Sequence, residues 1–211
     1  MAMKRIPEEL RYSLYIPLHP FKGFWDLKHE GEGSFRTAML ILGTALLVAV
    51  GSAFFTEYLF NGENLKNYNF LTTILVGLGL FFGWCVSNWC FTCLNDGEGT
   101  FKDICTVTAY ALVPYILIQV LLIPLSYFLV MREASLYSLL MSLGYFWSGL
   151  LIVFGTLVVH QYSFGKTLLV CFVTIVGMAV LTYIGILLLN LLQVMIVFFT
   201  TLMDEIRITL R

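Results

Sequence analysis

The chain contains few charged residues, and this scarcity indicates its class. Of its 211 residues only 12% are charged, whereas 59% are hydrophobic and the mean hydropathy is +0.88. A soluble domain carries about twice that share of charge. Several charge-free runs exceed the roughly 20 residues that cross a bilayer core of about 30 Å. The sequence therefore predicts an integral membrane protein.

Other absences exclude further classes of protein. The first 34 residues contain no apolar h-region, so we expect no secretory signal peptide and assign the targeting role to the first span. A net charge of −1 argues against nucleic acid as a partner, because its binding needs a basic patch. The five cysteines form no disulfide framework, since their number is odd and they lie in or beside apolar runs.

Five apolar runs are long enough to span a membrane as helices. Pro114 and Pro124 predict kinks in the third run, because each proline removes a backbone hydrogen bond. The fifth run would be about 55 Å long as a helix. For it we expect tilt, a break near Gly177 or Gly185, or an end outside the bilayer core. The predicted spans cover residues 35–55, 70–94, 104–130, 135–159 and about 166–203 within a transmembrane domain at 35–203, with a polar loop at 57–69 and a polar tail at 204–211.

The polar N-terminal segment, residues 1–34, contains a short amphipathic pattern. From Pro20 onward, apolar residues alternate with charged ones at helical spacing. The pattern is typical of a helix that lies in the headgroup plane, with Trp25 as its interfacial anchor. A loop packed across the mouth of the bundle is the alternative.

Two six-residue strings precede long apolar runs and organise the chain. Residues 31–36 read GEGSFR, and residues 97–102, 66 positions later, read GEGTFK. The glycines permit a sharp turn, and the Ser or Thr can cap the helix that follows. In the second copy, Thr100 and Asp103 lie at the spacing of a capping box. A looser copy, SFGKT at residues 163–167, comes 66 residues further on. Three similar helix starts predict five spans arranged as a 2+2+1 bundle. The motif residues are Gly31, Glu32, Gly33, Ser34, Phe35, Gly97, Glu98, Gly99, Thr100, Phe101, Gly165 and Lys166.

The middle of each span lacks charged residues, which argues against an ion-coupled transporter, because such proteins bury charges at mid-membrane. Amide side chains in spans more often hydrogen-bond between helices than bind a substrate. Small residues four apart let helices approach closely. We therefore expect helix packing at Gly79, Gly83, Asn88 and Asn190. A small-solute facilitator or accessory transporter subunit is the alternative, with a polar cavity lined by Pro114, Pro124, Asn88 and Asn190.

Acidic and imidazole side chains cluster in the sequence near the glycine-rich turns. Oxygen and nitrogen ligands of this kind can bind a divalent cation. The helix dipole explains acids at helix N-termini without a ligand, so we predict no metal and no cofactor. The string at residues 165–167 lacks the preceding glycine of a P-loop, and Cys90 and Cys93 lie within an apolar helix, so we predict no enzyme. The weak candidates for metal ligands are His29, Glu32, Asp96, Glu98 and His160.

The duplicated turns, the string from Tyr110 to Tyr115 that includes Pro114, and the five-span layout resemble the YIP (Ypt/Rab-interacting) membrane proteins, closest to the bacterial branch. The resemblance covers roughly residues 18–200. It implies a five-span fold and, for eukaryotic members, Golgi or ER proteins linked to small-GTPase recruitment, vesicle traffic and membrane shaping. Their N-terminal region is usually longer than the 34 residues found here, which argues against a small GTPase as partner.

We therefore expect a non-enzymatic scaffold or adaptor that assembles with itself or with another integral membrane protein, with a role in membrane organisation or trafficking. Its location would be the bacterial cytoplasmic membrane, or the Golgi or ER membrane in a eukaryote. Its partners would be the lipid bilayer and those proteins.

The distribution of Lys and Arg predicts the orientation. With a cytoplasmic N-terminus, eight of these residues lie inside, six of them in residues 1–36 together with Lys102 and Lys166, and four lie outside. The positive-inside rule favours this orientation. We expect reporter fusions after Glu32 and after Glu98 both to report the cytoplasm. Fusions that place these two positions on opposite sides of the membrane would contradict the topology.

Overall fold

The computed structural model describes residues 6–57, 60 and 68–209, except for the side chains of residues 6, 7, 131 and 204–209. Regular structure in this part of the chain is entirely helical, and five stretches are long and apolar enough to span a membrane. The predicted all-α, five-span membrane fold is confirmed. The helices are α1 (Ile6–Ser13), α2 (Pro20–His29), α3 (Phe35–Phe55), α4 (Phe70–Leu94), α5 (Phe101–Ala111), α6 (Val113–Ser126), α7 (Ala134–His160) and α8 (Phe164–Thr209), with a 3₁₀ turn at Met131–Glu133.

The spans lie close to their predicted positions, with differences in the third and the fifth. The first two, α3 and α4, begin and end at the predicted residues. The third span is divided into α5 and α6 at Leu112. Pro114 lies in the first turn of α6, where the N–H that proline lacks would have no helical partner in any case. The third span also ends at Ser126, two residues after Pro124, instead of near residue 130.

The fifth span, α8, is a single helix of 46 residues, so of the three alternatives the break near Gly177 or Gly185 is wrong. At Gly177 the glycine permits close packing: a Cβ there would lie 2.6 Å from Cε2 of Phe91 on α4. Residues 204–209, predicted as part of the polar tail, continue this helix. Residues 210–211 and most of the predicted loop at 57–69 lie outside the described residues.

A buried polar contact joins α8 to α4. Ser87 Oγ donates to the carbonyl oxygen of Thr174 at 2.8 Å, and Asn88 Nδ2 donates to Thr174 Oγ1 at 3.3 Å. The structure thus places Asn88 between two helices. The glycine pair lies differently: a Cβ at Gly79 would meet nothing within 4 Å, and one at Gly83 only Met178 Cε at 3.6 Å.

The centre of the bundle is α5, whose residues from Ile104 to Ala111 are all buried. It packs against α3, α4 and α7, while α6 packs chiefly on α7. Small side chains such as Cys105 and Ala109, neither of which is exposed, permit the neighbouring helices to pack closely around α5. The 2+2+1 arrangement of the spans stays a prediction.

The amphipathic segment at residues 20–29 forms the predicted helix, α2. Its Phe24 is fully buried against α7, and the ring of Phe21 packs at a tilt on that of Phe154, with ring centroids 4.8 Å apart. The segment is therefore a helix and not the loop of the alternative, but it packs across one end of the bundle, and Trp25 remains exposed on its outer side.

Two glycines of α8 provide a matched test of the α4–α8 contact. We expect Gly177→Leu to lower the free energy of unfolding by about 1–3 kcal/mol, because the new side chain collides with Ser87 and Phe91. Gly185→Leu is the control, since a Cβ there meets nothing within 4 Å. Thermal unfolding of both variants in nanodiscs measures the difference, and equal midpoints would contradict this packing.

Candidate functional site at the helix entries

The glycine-rich turns meet at one end of the bundle, which we call the entry face and define as residues 31–34, 95–100 and 160–163. Lys28, just before the first turn, lies 3.7 Å from Glu98 of the second turn. Lys166, at the start of α8, donates to the carbonyl oxygen of Asn95 at 2.9 Å. The starts of α3, α5 and α8 therefore lie beside the ends of α4 and α7.

The first turn uses a carboxylate from outside the motif. Ser34 caps α3, its Oγ accepting from the Thr37 N–H at 3.3 Å. The same Oγ donates to Glu9 Oε2 at 2.6 Å, and Thr37 Oγ1 donates to that oxygen as well. Glu9 is only 4% exposed, so α1 buries a carboxylate at the N-terminus of α3, where the helix dipole stabilises negative charge.

Sequence reasoning missed the role of Glu9, because 25 residues separate it from Ser34. The available signal was the pair of hydroxyls, Ser34 and Thr37, on the first turn of a span. Two inward hydroxyls at a helix N-terminus need an acceptor when they are buried.

The glycines of the first turn permit close packing on the third span. A Cβ at Gly33 would lie 2.7 Å from the hydroxyl oxygen of Tyr110, whose side chain is fully buried. Gly31 has φ = 70°, a left-handed conformation that favours glycine. The first turn and Tyr110, two of the sequence features on which the family resemblance rests, are thus in contact.

The second turn forms the predicted capping box. Thr100 Oγ1 accepts from the Asp103 N–H at 3.3 Å, and Asp103 Oδ2 accepts from the Thr100 N–H at 3.0 Å. His160 lies against its glycines: a Cβ at Gly97 would be 2.6 Å from His160 Nδ1. That nitrogen accepts from the Gly99 N–H at 3.3 Å, and His160 is only 2% exposed.

Lys28 joins α2 to the end of α7. Its Nζ donates to the carbonyl oxygen of Val159 at 2.7 Å, where the last carbonyls of a helix lack partners within the helix. Glu98 lies beside it and accepts from Gln161 Nε2 at 2.6 Å. The Lys28 side chain is only 12% exposed, so its ammonium group binds the end of α7 from a largely buried position.

The third turn is bound in a similar way to the end of α4. Tyr162 Oη donates to the carbonyl oxygen of Asn95 at 2.8 Å, and Lys166 Nζ lies 4.1 Å from the Tyr162 ring centroid. Burial raises the pKa of Tyr162, and the charge of nearby Asp96 raises it further. The phenol therefore stays protonated and remains a donor across the neutral range.

The weak metal candidates serve other purposes here. His29 Nδ1 lies 3.2 Å from the carbonyl oxygen of Trp25, on the exposed side of α2. His160 and Glu98 have the partners described above, and Asp96 adopts φ = 54° in the turn after α4. Across the described residues there is no group of three His, Cys, Asp or Glu side chains that could hold a metal ion. The described residues therefore provide no set of ligands for the hypothetical cation site.

A polar cleft of about 460 Å³ lies between α1 and α2 beside the first turn. Tyr12 Oη donates across it to Asp26 Oδ2 at 3.1 Å. Burial raises the pKa of Tyr12, and the Asp26 carboxylate adds to the shift. Charges of both signs line the cleft, at Glu8, Arg11, Lys22, Asp26 and Glu32.

Comparison with known proteins gives one match. The family model of the Yip1 domain matches residues 14–186, which is most of the chain and includes the turns, Tyr110 and Pro114. This match confirms the resemblance to YIP proteins, whereas the bacterial branch stays a prediction. No curated protein and no solved structure matches the chain.

The role of Lys28 can be tested on α2 itself. We expect Lys28→Ala to speed hydrogen exchange of the amides in residues 20–29 about tenfold, since a charged hydrogen bond to Val159 is lost. Lys22→Ala, on the exposed side of the same helix, is the control. Exchange that is equally fast in both variants would contradict a role for Lys28 in holding α2.

Proposed function

Since the chain belongs to the Yip1 domain family, we propose that it acts as a multi-span membrane scaffold that assembles with a second copy of itself. Assembly with another integral membrane protein is the broader form of the same role. We place the protein in the bacterial cytoplasmic membrane, with the entry face toward the cytoplasm. The exposed Phe21 and Trp25 of α2 would then lie at the headgroups.

The observation that carries the proposal is the exposed second half of α8. In an apolar stretch of 18 residues in this helix, only 6% of the residues are buried within the chain, against 56% in the corresponding stretch of the third span. From residue 179 to 203 no side chain is buried. A helix of 46 residues is about 69 Å long, so α8 extends well past its contact with α4.

This exposed half has a polar stripe. At 3.6 residues per turn, all its polar side chains fall within an arc of about 100°. The threonine hydroxyls bond back to their own helix, as Thr182 does to the carbonyl oxygen of Met178 at 2.8 Å. Asn190 and Gln193 make no hydrogen bond within the described part of the chain. The stripe consists of Thr182, Tyr183, Asn190, Gln193, Thr200 and Thr201.

Exposed amide groups on an otherwise apolar helix favour association with another helix, because a hydrocarbon surrounding would offer them no partner. Paired amides between membrane helices contribute about 0.6–2 kcal/mol each. An amide both donates and accepts, so Asn190 and Gln193 can pair with the same residues of a second copy across a two-fold axis. This self-complementarity favours a homodimer over a different partner.

The transport alternative receives less support. Asn88 lies between α4 and α8, Asn190 is exposed on α8, and Pro124 is exposed on α6. These residues lie apart, so the polar cavity that they were predicted to line is not formed by them together.

The test is the double variant Asn190→Leu with Gln193→Leu. We expect it to reduce the dimer fraction in vesicles about tenfold, because two amide pairs are lost. Photobleaching steps of a fluorescently tagged full chain measure this fraction. The control, Leu188→Ala with Leu192→Ala, changes the opposite side of the same turns. A wild-type chain that is monomeric, or a dimer that the amide variant leaves intact, would contradict the proposal.

A further inference from the structure

Two cavities lie in series between the α3–α4 pair and the α6–α7 pair. The inner cavity, of about 370 Å³, is lined almost wholly by apolar side chains, among them Leu42, Leu46, Phe81 and Trp84. The outer cavity, of about 390 Å³, has a mixed lining, in which polar side chains lie beside apolar ones such as Ala53, Phe60 and Met141. Ala49 of α3 lines both cavities. Since they share this residue, we take the two together as one crevice, whose lining changes from apolar to mixed polar and apolar.

The position of the crevice along the helices places its two ends at different depths. Ala49 lies 14 residues into α3, about 21 Å from the entry face, and Leu42 lies about 10 Å from it. The inner cavity is therefore near mid-membrane. The outer cavity reaches Thr56 and Phe60 after the end of α3, at the surface opposite the entry face.

Small residues of α3 leave the space open. Ala45 and Ala49 line the inner cavity, and Ala49 and Ala53 line the outer one. The break between α5 and α6 lies alongside, where Leu112 and Tyr115 line the inner wall. Small residues that would normally bring helices together here face a gap instead.

The crevice is accessible from the lipid phase. Leu80 and Tyr145, which line the inner cavity, are 59% and 54% exposed on the outside of the bundle. An apolar cavity of this kind excludes water, and its lining loses dispersion contacts if it stays empty. Its volume is within the roughly 300–1,000 Å³ of small-molecule sites. A hydrocarbon chain from the bilayer suits this cavity in three respects: the access from lipid, the apolar lining and the volume.

The outer end can recognise a polar headgroup that carries no charge. Its lining includes Ser52, Thr73 and Tyr137, and no charged side chain lines either cavity among the described residues. Gln119 is only 3% exposed, and the Tyr68 hydroxyl is buried with no hydrogen-bond partner in the described structure. A charged headgroup would be left unpaired here, whereas hydroxyl and ester groups suit amide and phenol partners.

From this lining we propose that the crevice binds one uncharged acyl lipid, of the acylglycerol class. The acyl chain occupies the inner cavity, and the glycerol hydroxyl and ester groups lie at the outer end beside Tyr68 and Gln119. The site is independent of the α8 stripe, so it stands whether or not the protein forms dimers.

The test uses the full chain in nanodiscs with a photoreactive, alkyne-tagged monoacylglycerol. We expect labelled peptides to map to residues that line the two cavities. Ala49→Phe fills the junction of the cavities and is expected to reduce labelling about tenfold. Gly43→Phe is the control, since it adds the same ring to α3 at a position with nothing within 4 Å.

A second variant addresses the headgroup and does not depend on how Ala49→Phe folds. Tyr68→Phe keeps the ring and removes the hydroxyl. We expect it to reduce labelling by the monoacylglycerol about fivefold and to leave labelling by a photoreactive alkane unchanged. Labelling that is equal in wild type, Ala49→Phe and Tyr68→Phe would overturn the proposal, as would equally strong labelling by a photoreactive phosphatidylglycerol.

Discussion

Helix ends at a membrane surface leave backbone N–H and C=O groups without partners, and the entry face pairs these groups with specific side chains. Carboxylates lie at the starts: Glu9 accepts from the hydroxyls of Ser34 and Thr37 on the first turn of α3, and Asp103 accepts from the Thr100 N–H at the start of α5. Ammonium groups serve the ends: Lys28 that of α7 and Lys166 that of α4. Each charge has the sign favoured by the dipole of the helix end that it contacts.

This use of charge changes how the duplicated motif is understood. Its glycines allow a turn to approach Tyr110 in one copy and His160 in the other, while its hydroxyls cap the helices. The carboxylates differ between the two copies. In the second copy Glu98 accepts a hydrogen bond from Gln161, whereas the carboxylate at the first cap belongs to Glu9, outside the motif. The motif is thus a means of docking α1 and α2 onto the spans. The interactions with other molecules that we propose lie elsewhere, at the α8 stripe and the crevice.

Small residues have opposite consequences in two parts of the bundle. At Gly177 the absence of a side chain brings α8 against Ser87 and Phe91 of α4, and the helix continues unbroken. At Ala45 and Ala49 of α3 no facing helix closes the gap, and a cavity remains. A close α4–α8 contact and an open crevice are therefore parts of one bundle, and both depend on what lies opposite each small residue.

The sequence by itself determined the features that depend on neighbours along the chain. Hydropathy placed the spans α3 and α4 to the residue, and the spacing of Thr100 and Asp103 identified the capping box, because the groups involved lie within one helix. Only the tertiary structure decided contacts between distant residues, such as that between Lys28 and Val159, which are 131 positions apart. It also decided that Gly79 faces open space while Gly177 faces a helix. The physical reason is that glycine and alanine permit close approach but do not specify a partner, whereas burial of apolar length and capping of a helix end are set locally.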